Sequence, residues 1–170
     1  MTIIITADHL VQLGATKDNA VKYVEHLNNA MSVYDINYNK ERVCHFLSQI
    51  YVESGCLKTV RESLNYSEEG LYKTFRKYFP TLESTKGYGR TATTPANQKA
   101  IANKVYGGRM GNKAINDDGW LYKGHGLKQI TGFFNHKKCG EALGLDLINN
   151  PELLEEPKYA ALSAGWFWNV

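Results

Sequence analysis

The sequence predicts a mainly helical fold with at most a small β element. Two observations carry that expectation. Apolar residues recur at three- and four-residue spacing in several separate stretches. Residue types that start and stop helices stand at the ends of those stretches. No internal repeat interrupts the pattern, and the parallel α/β classes are disfavoured.

The first helical stretch carries Ala20, Val24, Leu27, Met31 and Tyr34 on one face. "YDINYN" reads as the loop after it, with Asn39 as the N-cap of a second helix carrying Val43, Phe46, Leu47 and Ile50. Ser67 is placed to cap a third helix through Leu71, Phe75 and Phe79, which Pro80 stops. Residues 81–94, rich in Thr, Ser and Gly, read as a mobile connection. Thr94 and Pro95 open a further helix through Ile101 and Val105, ended by Gly107 and Gly108.

The glycine-rich stretch 107–132 has little periodicity and suits loops and short strands. Helical signals return over residues 135–143, with Gly144 as the stop, and again after Pro151 and Pro157. The last segment, "YAALSAGWFWNV", places Trp166, Phe167 and Trp168 close together. They need something to pack against, either this domain or a continuation of it.

Composition bounds the function. At 170 residues, 43% hydrophobic and 12% aromatic, the chain has material for one domain with a true core. A net charge of +3 is too small to mark a nucleic-acid binder, yet it suits an anionic wall polymer. Cys44, Cys56 and Cys139 are an odd number without metal-finger spacing. Reduced, mostly buried thiols fit folding in a cytosol. "MTIIITADHL" lacks the basic start of a signal peptide, and no apolar run is long enough to span a membrane.

Two carboxylates stand out in "HFLSQIYVESGCLKTVRESLNYS". Glu53 ends an apolar helix, and Glu62 follows nine residues later beside Ser63, Asn65, Tyr66 and Ser67. On one continuous helix they would face opposite sides, so they cooperate only if the chain breaks at Ser54-Gly55. A carboxyl at an apolar helix end and one in a wetter loop would suit an acid and a base. Spacing alone favours the ordinary alternative of two solvated glutamates.

Other candidates are weaker. His136 and Cys139 stand three apart, a spacing compatible with metal ligation but lacking a second pair. His45 reads as a core or boundary histidine. Lys73, Arg76 and Lys77 in "KTFRKYF" read as a solvated face rather than a nucleic-acid contact. Trp120 and Tyr122 suit either sugar stacking or the core, with Trp120 favoured for the core.

Five blocks change the weight on the glutamates. "VESG", "ESLNYSEEGLYKTF", "VYGGRMGN", "DDGWLYKGHGLKQITGFFNH" and "EALGLDLINNPELLEEPKYAALSAGWFW" occur in order over roughly residues 40–168. Together they resemble the glycoside hydrolase family 19 chitinase-like domain, in the form found in bacteriophage endolysins and prophage lysozymes. The resemblance implies a lysozyme-like fold of two helical lobes flanking a substrate cleft. It also implies cleavage of β-1,4 bonds beside N-acetylated amino sugars with inversion.

Carried over by position, Glu53 matches the family's general acid and Glu62 the general base. An inverting pair is expected roughly 6.5–9.5 Å apart. Gln129 and Thr131 match residues that bind sugar and hold the attacking water, and Asn135 a sugar-binding asparagine. Ser54, Tyr66 and Gly126 complete the expected substrate contacts, with Gly124 and Gly126 admitting the sugar ring close to the backbone.

The departures are Val52 in place of a histidine, His125 in place of a basic residue, Lys128 in place of an apolar one, and His136 in place of an aromatic. Val52 is expected to make the surroundings of Glu53 more apolar. The family's later Ile-Asn-Gly-Gly-like segment has no counterpart, so the expected unit is one domain over residues 1–170 without it.

The resemblance implies a monomeric endolysin acting on peptidoglycan strands, with chitin oligosaccharide as the alternative substrate. It implies no metal or organic cofactor, no nucleic acid and no membrane-spanning segment. Such an enzyme is made in the cytoplasm without a signal peptide and reaches the wall through a phage holin. From another class, a wall- or chitin-binding module with weakened turnover fits Val52 and the absent segment.

Overall fold

The computed structural model describes residues 2–170 and is mainly helical. Its helices are α1 (Ala7–Gln12), α2 (Lys17–Val33), α3 (Lys40–Ser54), α4 (Glu68–Thr74), α5 (Gln98–Tyr106), α6 (Asp118–Leu121), α7 (Phe133–Leu143) and α8 (Pro157–Asn169). Two 3-10 turns, Glu83–Thr85 and Pro151–Glu155, lie between them. Among the described residues, extended pairing is limited to the bridges Arg61–His125, Ser67–Arg90 and His125–Ile130. No described helix is long and apolar enough to cross a membrane. The apolar start begins at Met1, which lies outside the described residues.

The chain forms two compact units. The first takes the residues up to Arg61 together with Gly124–Ile130 and Asn135–Val170. Its main core joins Leu10 of α1, Tyr23, Leu27 and Met31 of α2, Phe46 and Ile50 of α3, and Ala160, Ala161 and Ala164 of α8. Burying each large side chain stabilises the unit by about 1.5–3 kcal/mol. The small residues of α8 let it lie directly on α2. A Cβ at Gly165 would come within 2.5 Å of Tyr34 Cδ2 and 3.4 Å of the Ala30 carbonyl oxygen. A smaller cluster of Ile130, Cys139, Leu147 and Leu154 fills the remainder.

The second unit takes Glu62–Lys123 and Thr131–Phe134. Leu64, Leu71, Phe79, Ile101, Ala102 and Val105 form its core. Half-buried Tyr66, Tyr106 and Trp120 pack around it, which bears out the core preference for Trp120. α6 sits close on α5 because Gly119 has no side chain: a Cβ there would meet the Ala102 carbonyl oxygen at 2.7 Å.

Several helix ends fall where the residue chemistry places them. Asn39 Oδ1 accepts from the Arg42 N–H, Ser67 Oγ accepts from the Gly70 N–H, and Gly144 closes α7 with φ +67°. The terminal aromatics fold back onto the first unit. Trp168 meets Phe46 edge-on at 5.9 Å, and Trp166 packs on the smaller cluster.

Other expectations are corrected. α4 stops at Thr74, and turns bring Phe79 into the core without helix. Apolar spacing is satisfied by either path, so it could not tell them apart. α5 starts at Gln98 because Asn97, not Thr94, caps it: Asn97 Oδ1 accepts from the Ala100 N–H. The Thr91 hydroxyl accepts from the N–H groups of Thr93 and Thr94, which turns that segment away from helix.

Residues 81–94 are folded rather than an open connection. Thr81 and Ser84 bond reciprocally, Thr85 is buried, and a Cβ at Gly89 would lie 2.4 Å from Glu68 N. α1, with Thr6 and His9 forming a capping box, lies before the first helical stretch that the apolar spacing predicts. Cys44 is exposed and Cys56 half-buried, so only Cys139 matches the expected buried thiol. His45 is exposed as well.

Burial pushes the Cys139 thiol up to about 12 from its ordinary 9.0, and the Tyr51 phenol up to about 12 from 10.0. The native state therefore holds both protons more tightly than the unfolded chain. Their stabilisation is complete below pH 9 and is lost as pH rises towards 12. Urea unfolding is expected to show stability lower by about 2–4 kcal/mol at pH 11 than at pH 8. Cys139→Ala should flatten that fall, and an identical fall in both proteins would rule the thiol out as a source.

Candidate active site

The first unit presents Glu53 on the last turn of α3, its side chain 44% exposed. Its Oε1 lies 3.5 Å from Lys128 Nζ, and that ammonium stands over the Phe167 ring at 5.4 Å. Ser48, Gln49, Val52, Glu53 and Lys128 line a shallow depression of about 370 Å3. Val52 is 83% exposed, so it points into solvent rather than wrapping Glu53 in an apolar shell. That corrects the expected effect of the valine.

The chain does break after Glu53, in a particular way. Gly55, Cys56 and Leu57 occupy the left-handed region in succession, with φ +58°, +62° and +62°. For Cys56 and Leu57 this costs about 1–2 kcal/mol each, because Cβ crowds the following carbonyl. Ser54 repays part of it. The Ser54 hydroxyl donates to the Ile50 carbonyl and accepts from the Leu57 N–H, while its carbonyl accepts from the N–H groups of Lys58 and Thr59. Ser54 is fully buried, so the expected sugar contact through it is corrected to a structural one.

Residues 125–130 form a tight loop. His125 and Ile130 exchange both backbone hydrogen bonds, at 3.1 and 2.8 Å, and the Gly126 N–H donates to the Val60 carbonyl. Gln129 sits at the turn with φ +56°, and its Nε2 donates to the Gly126 carbonyl at 2.9 Å. Gly126 is buried, and a Cβ there would approach Ser163 Oγ at 3.0 Å and the Leu154 carbonyl at 3.4 Å. Its lack of a side chain serves packing against α8, which corrects the expected approach of a sugar at this glycine. Asn135 is half-buried near the start of α7.

Beneath the loop lies a polar cluster. His125 is buried with Nδ1 3.2 Å from Nε2 of the buried His136. His125 Nε2 lies 3.5 Å from Glu155 Oε1, which accepts from Arg61 Nε at 2.7 Å. His136 therefore faces a second imidazole. Among the described residues no group of three or more His, Cys, Asp or Glu could hold a metal ion.

The second unit presents Glu62, half-buried, with Oε1 accepting from the Tyr106 hydroxyl at 2.6 Å. Burial first, then the bond to Glu62 and its charge, push the Tyr106 phenol far above its ordinary range. Tyr66 is half-buried edge-on to Phe75, and burial and then Glu62 raise its phenol as well. Thr131 is half-buried, next to the Gly132 N–H that donates to the Tyr122 carbonyl.

Tyr106 lies inside "VYGGRMGN", where nothing local marks it as a partner of Glu62. No spacing rule could have paired residues 44 positions apart. The same holds for Glu155, which reaches Arg61 from 94 residues away. Replacing Tyr106 by Phe removes one charge-assisted hydrogen bond and is expected to cost about 1–2 kcal/mol in urea unfolding. Stability unchanged within about 0.5 kcal/mol would show that Glu62 does not depend on that hydroxyl.

With this geometry in place, similarity to known proteins is informative. Residues 102–170 match the glycoside hydrolase 19 family model, described as chitinase class I. A glycosyl hydrolase family 19 domain-containing protein of Haemophilus influenzae is 39% identical over 131 residues, 76% of this chain and 62% of that protein. Endochitinase 1 of Theobroma cacao is 47% identical over 51 residues, 29% of this chain and 16% of that protein. The crystal structure of a chitinase C mutant aligns over 97% of this chain and 54% of its own, with a TM-score of 0.54 and 22% identity. At that identity the likeness shows the fold alone. The chain thus spans less than two thirds of each of these relatives, and it carries a glycoside hydrolase family 19 chitinase-like domain, matched by the family model over residues 102–170.

Proposed function

We propose that the chain hydrolyses β-1,4 glycosidic bonds in the glycan strands of peptidoglycan, with inversion at the sugar carbon. The carrying observation is the contrast between its two family-matched carboxylates. Glu53 is exposed on a helix end beside one ammonium, whereas Glu62 is half-buried and held by a tyrosine hydroxyl. Acid–base hydrolysis uses carboxyl pairs in unlike surroundings, and which of the two is acid and which base follows their family positions rather than that contrast.

In this reading Glu53 gives its proton to the glycosidic oxygen as the bond from that oxygen to the sugar carbon breaks. A water attacks the same carbon from the opposite face, and Glu62 takes up the proton that the water loses. The Thr131 hydroxyl orients that water, since it can donate and accept without competing as a base. Gln129, Asn135 and Tyr66 contribute sugar contacts. Gln129 and Asn135 supply amides, and Tyr66 an aromatic face with a polar tip.

Three free thiols accord with folding in a reducing compartment. The reading therefore includes synthesis in the cytoplasm, release through a phage holin and action on the wall as a monomer. A second substrate, chitin oligosaccharide, is favoured by the similarity to a plant endochitinase.

Wild type and Glu53→Gln, assayed on purified peptidoglycan and on chitin oligomers, test this directly. Reducing ends should appear from peptidoglycan and fall at least about a hundredfold in the variant. The first product should be the inverted anomer by NMR. Release from chitin alone would transfer the reading to the second substrate. Equal, negligible release from both proteins with sugar binding intact would reduce the chain to a binding module.

A further inference from the structure

From the end of α3 we infer that Ser54 is a positioning residue, which acts through a left-handed turn to hold Glu53 in its working place. The inference rests on the reading of Glu53 as the proton donor. Ser54 itself is fully buried, so it touches no substrate.

Three features support this role. First, the turn that ends the helix is unfavourable on its own: after Gly55, both Cys56 and Leu57 hold left-handed backbone. Second, the bonds that close it converge on one residue. Ser54 Oγ takes the Leu57 N–H at 2.9 Å and donates to the Ile50 carbonyl one helical turn back. Ser54 O takes the N–H of Lys58 at 3.0 Å, the N–H of Thr59 at 2.9 Å and the Thr59 hydroxyl at 3.1 Å.

Third, the neighbouring anchors hold the rest of the last turn but leave the direction of Glu53 to this hub. Tyr51 fixes its side of the helix, its hydroxyl donating to the Leu10 carbonyl and its carbonyl accepting from the Cys56 N–H. Leu57 is buried and plugs the far side of the turn. Between them the exposed Glu53 meets Lys128 Nζ at 3.5 Å, and among the described residues no shorter polar contact holds it. Its place is therefore set chiefly by the backbone beneath it. Without the Ser54 hydroxyl, the Leu57 N–H would be buried without that acceptor, and the strained turn would relax towards right-handed backbone.

The test separates this role from plain stability. Each variant is assayed on the substrate that wild type cleaves, well below its own melting temperature, with Glu53→Gln in parallel. Ser54→Ala should lower kcat about ten- to a hundredfold with KM within about twofold, because a small displacement of a reacting group costs rate rather than binding. Ser54→Thr keeps the hydroxyl and should restore kcat to within about threefold of wild type.

The pair Ser54→Ala with Cys56→Gly gives the turn a residue that adopts left-handed backbone freely. It too should recover most of kcat, and it serves as the folded variant if Ser54→Ala alone does not fold. Wild-type kcat in Ser54→Ala beside an inactive Glu53→Gln would overturn the inference and leave the proton donor standing. A folded double variant that stays slow would overturn it as well, because the hydroxyl would then act otherwise than through the turn. An active Glu53→Gln would remove the reading of the donor, and this inference with it.

Discussion

α3 ends on Ser54, a fully buried residue between exposed neighbours, and that constraint shapes the first unit. A helix leaves its last carbonyls without intrahelical donors, and where the backbone is buried water cannot supply them. The chain after Ser54 therefore has to return at once and bring its own N–H groups. It does so by taking three successive residues into left-handed backbone, a conformation that only the first, Gly55, adopts without strain. Satisfying buried backbone outweighs that local cost, since each polar group left unpaired would cost about 1–3 kcal/mol. The result is a helix whose final carboxylate faces solvent while the next residue is wholly buried. A functional group can be held this way without being enclosed.

The second unit meets a similar demand by another device. Glu62 lies outside any helix. Tyr106 at the end of α5 packs its ring on the core and donates its hydroxyl to the carboxylate. The hydroxyl stays protonated over the whole working range, because burial and the adjacent carboxylate both oppose its ionisation. It is thus a permanent donor. Close packing between α5 and α6 at Gly119 keeps the supporting helix from shifting.

Much of this was legible in the residues, and the part that was not has a common cause. Helices with an amphipathic face and a cap, such as α2 and α3, could be read because both signals are local. The end of α4 and the start of α5 could not, because apolar spacing fits a helix or a turn, and Thr94 before Pro95 has the residue chemistry of a helix start that Asn97 in fact provides. Ser54 and Gly126 were read from their family positions as sugar contacts, and both proved to be buried pieces of framework. A small residue near a functional group is ambiguous until burial is known. The Tyr106 contact depends on tertiary packing over 44 residues, where sequence spacing carries no information.

Two of the departures from the family pattern turn out to be one. The rings of His125 and His136 lie edge-on at 5.3 Å with ring nitrogens 3.2 Å apart, both side chains buried. A hydrogen bond between imidazoles needs an N–H on one and a lone pair on the other, so at least one ring is neutral at that contact. A lysine or arginine at position 125 has donors only and could not accept from His136, while an aromatic ring at 136 would offer His125 no nitrogen. Each histidine makes sense of the other. The far nitrogen of His125 approaches Glu155, and Glu155 is bound by Arg61, so the exchange reaches the strand-like segment that pairs with the loop at His125 and Gly126. The loop that carries Lys128 and Gln129 is therefore held from below by a polar arrangement of this chain's own.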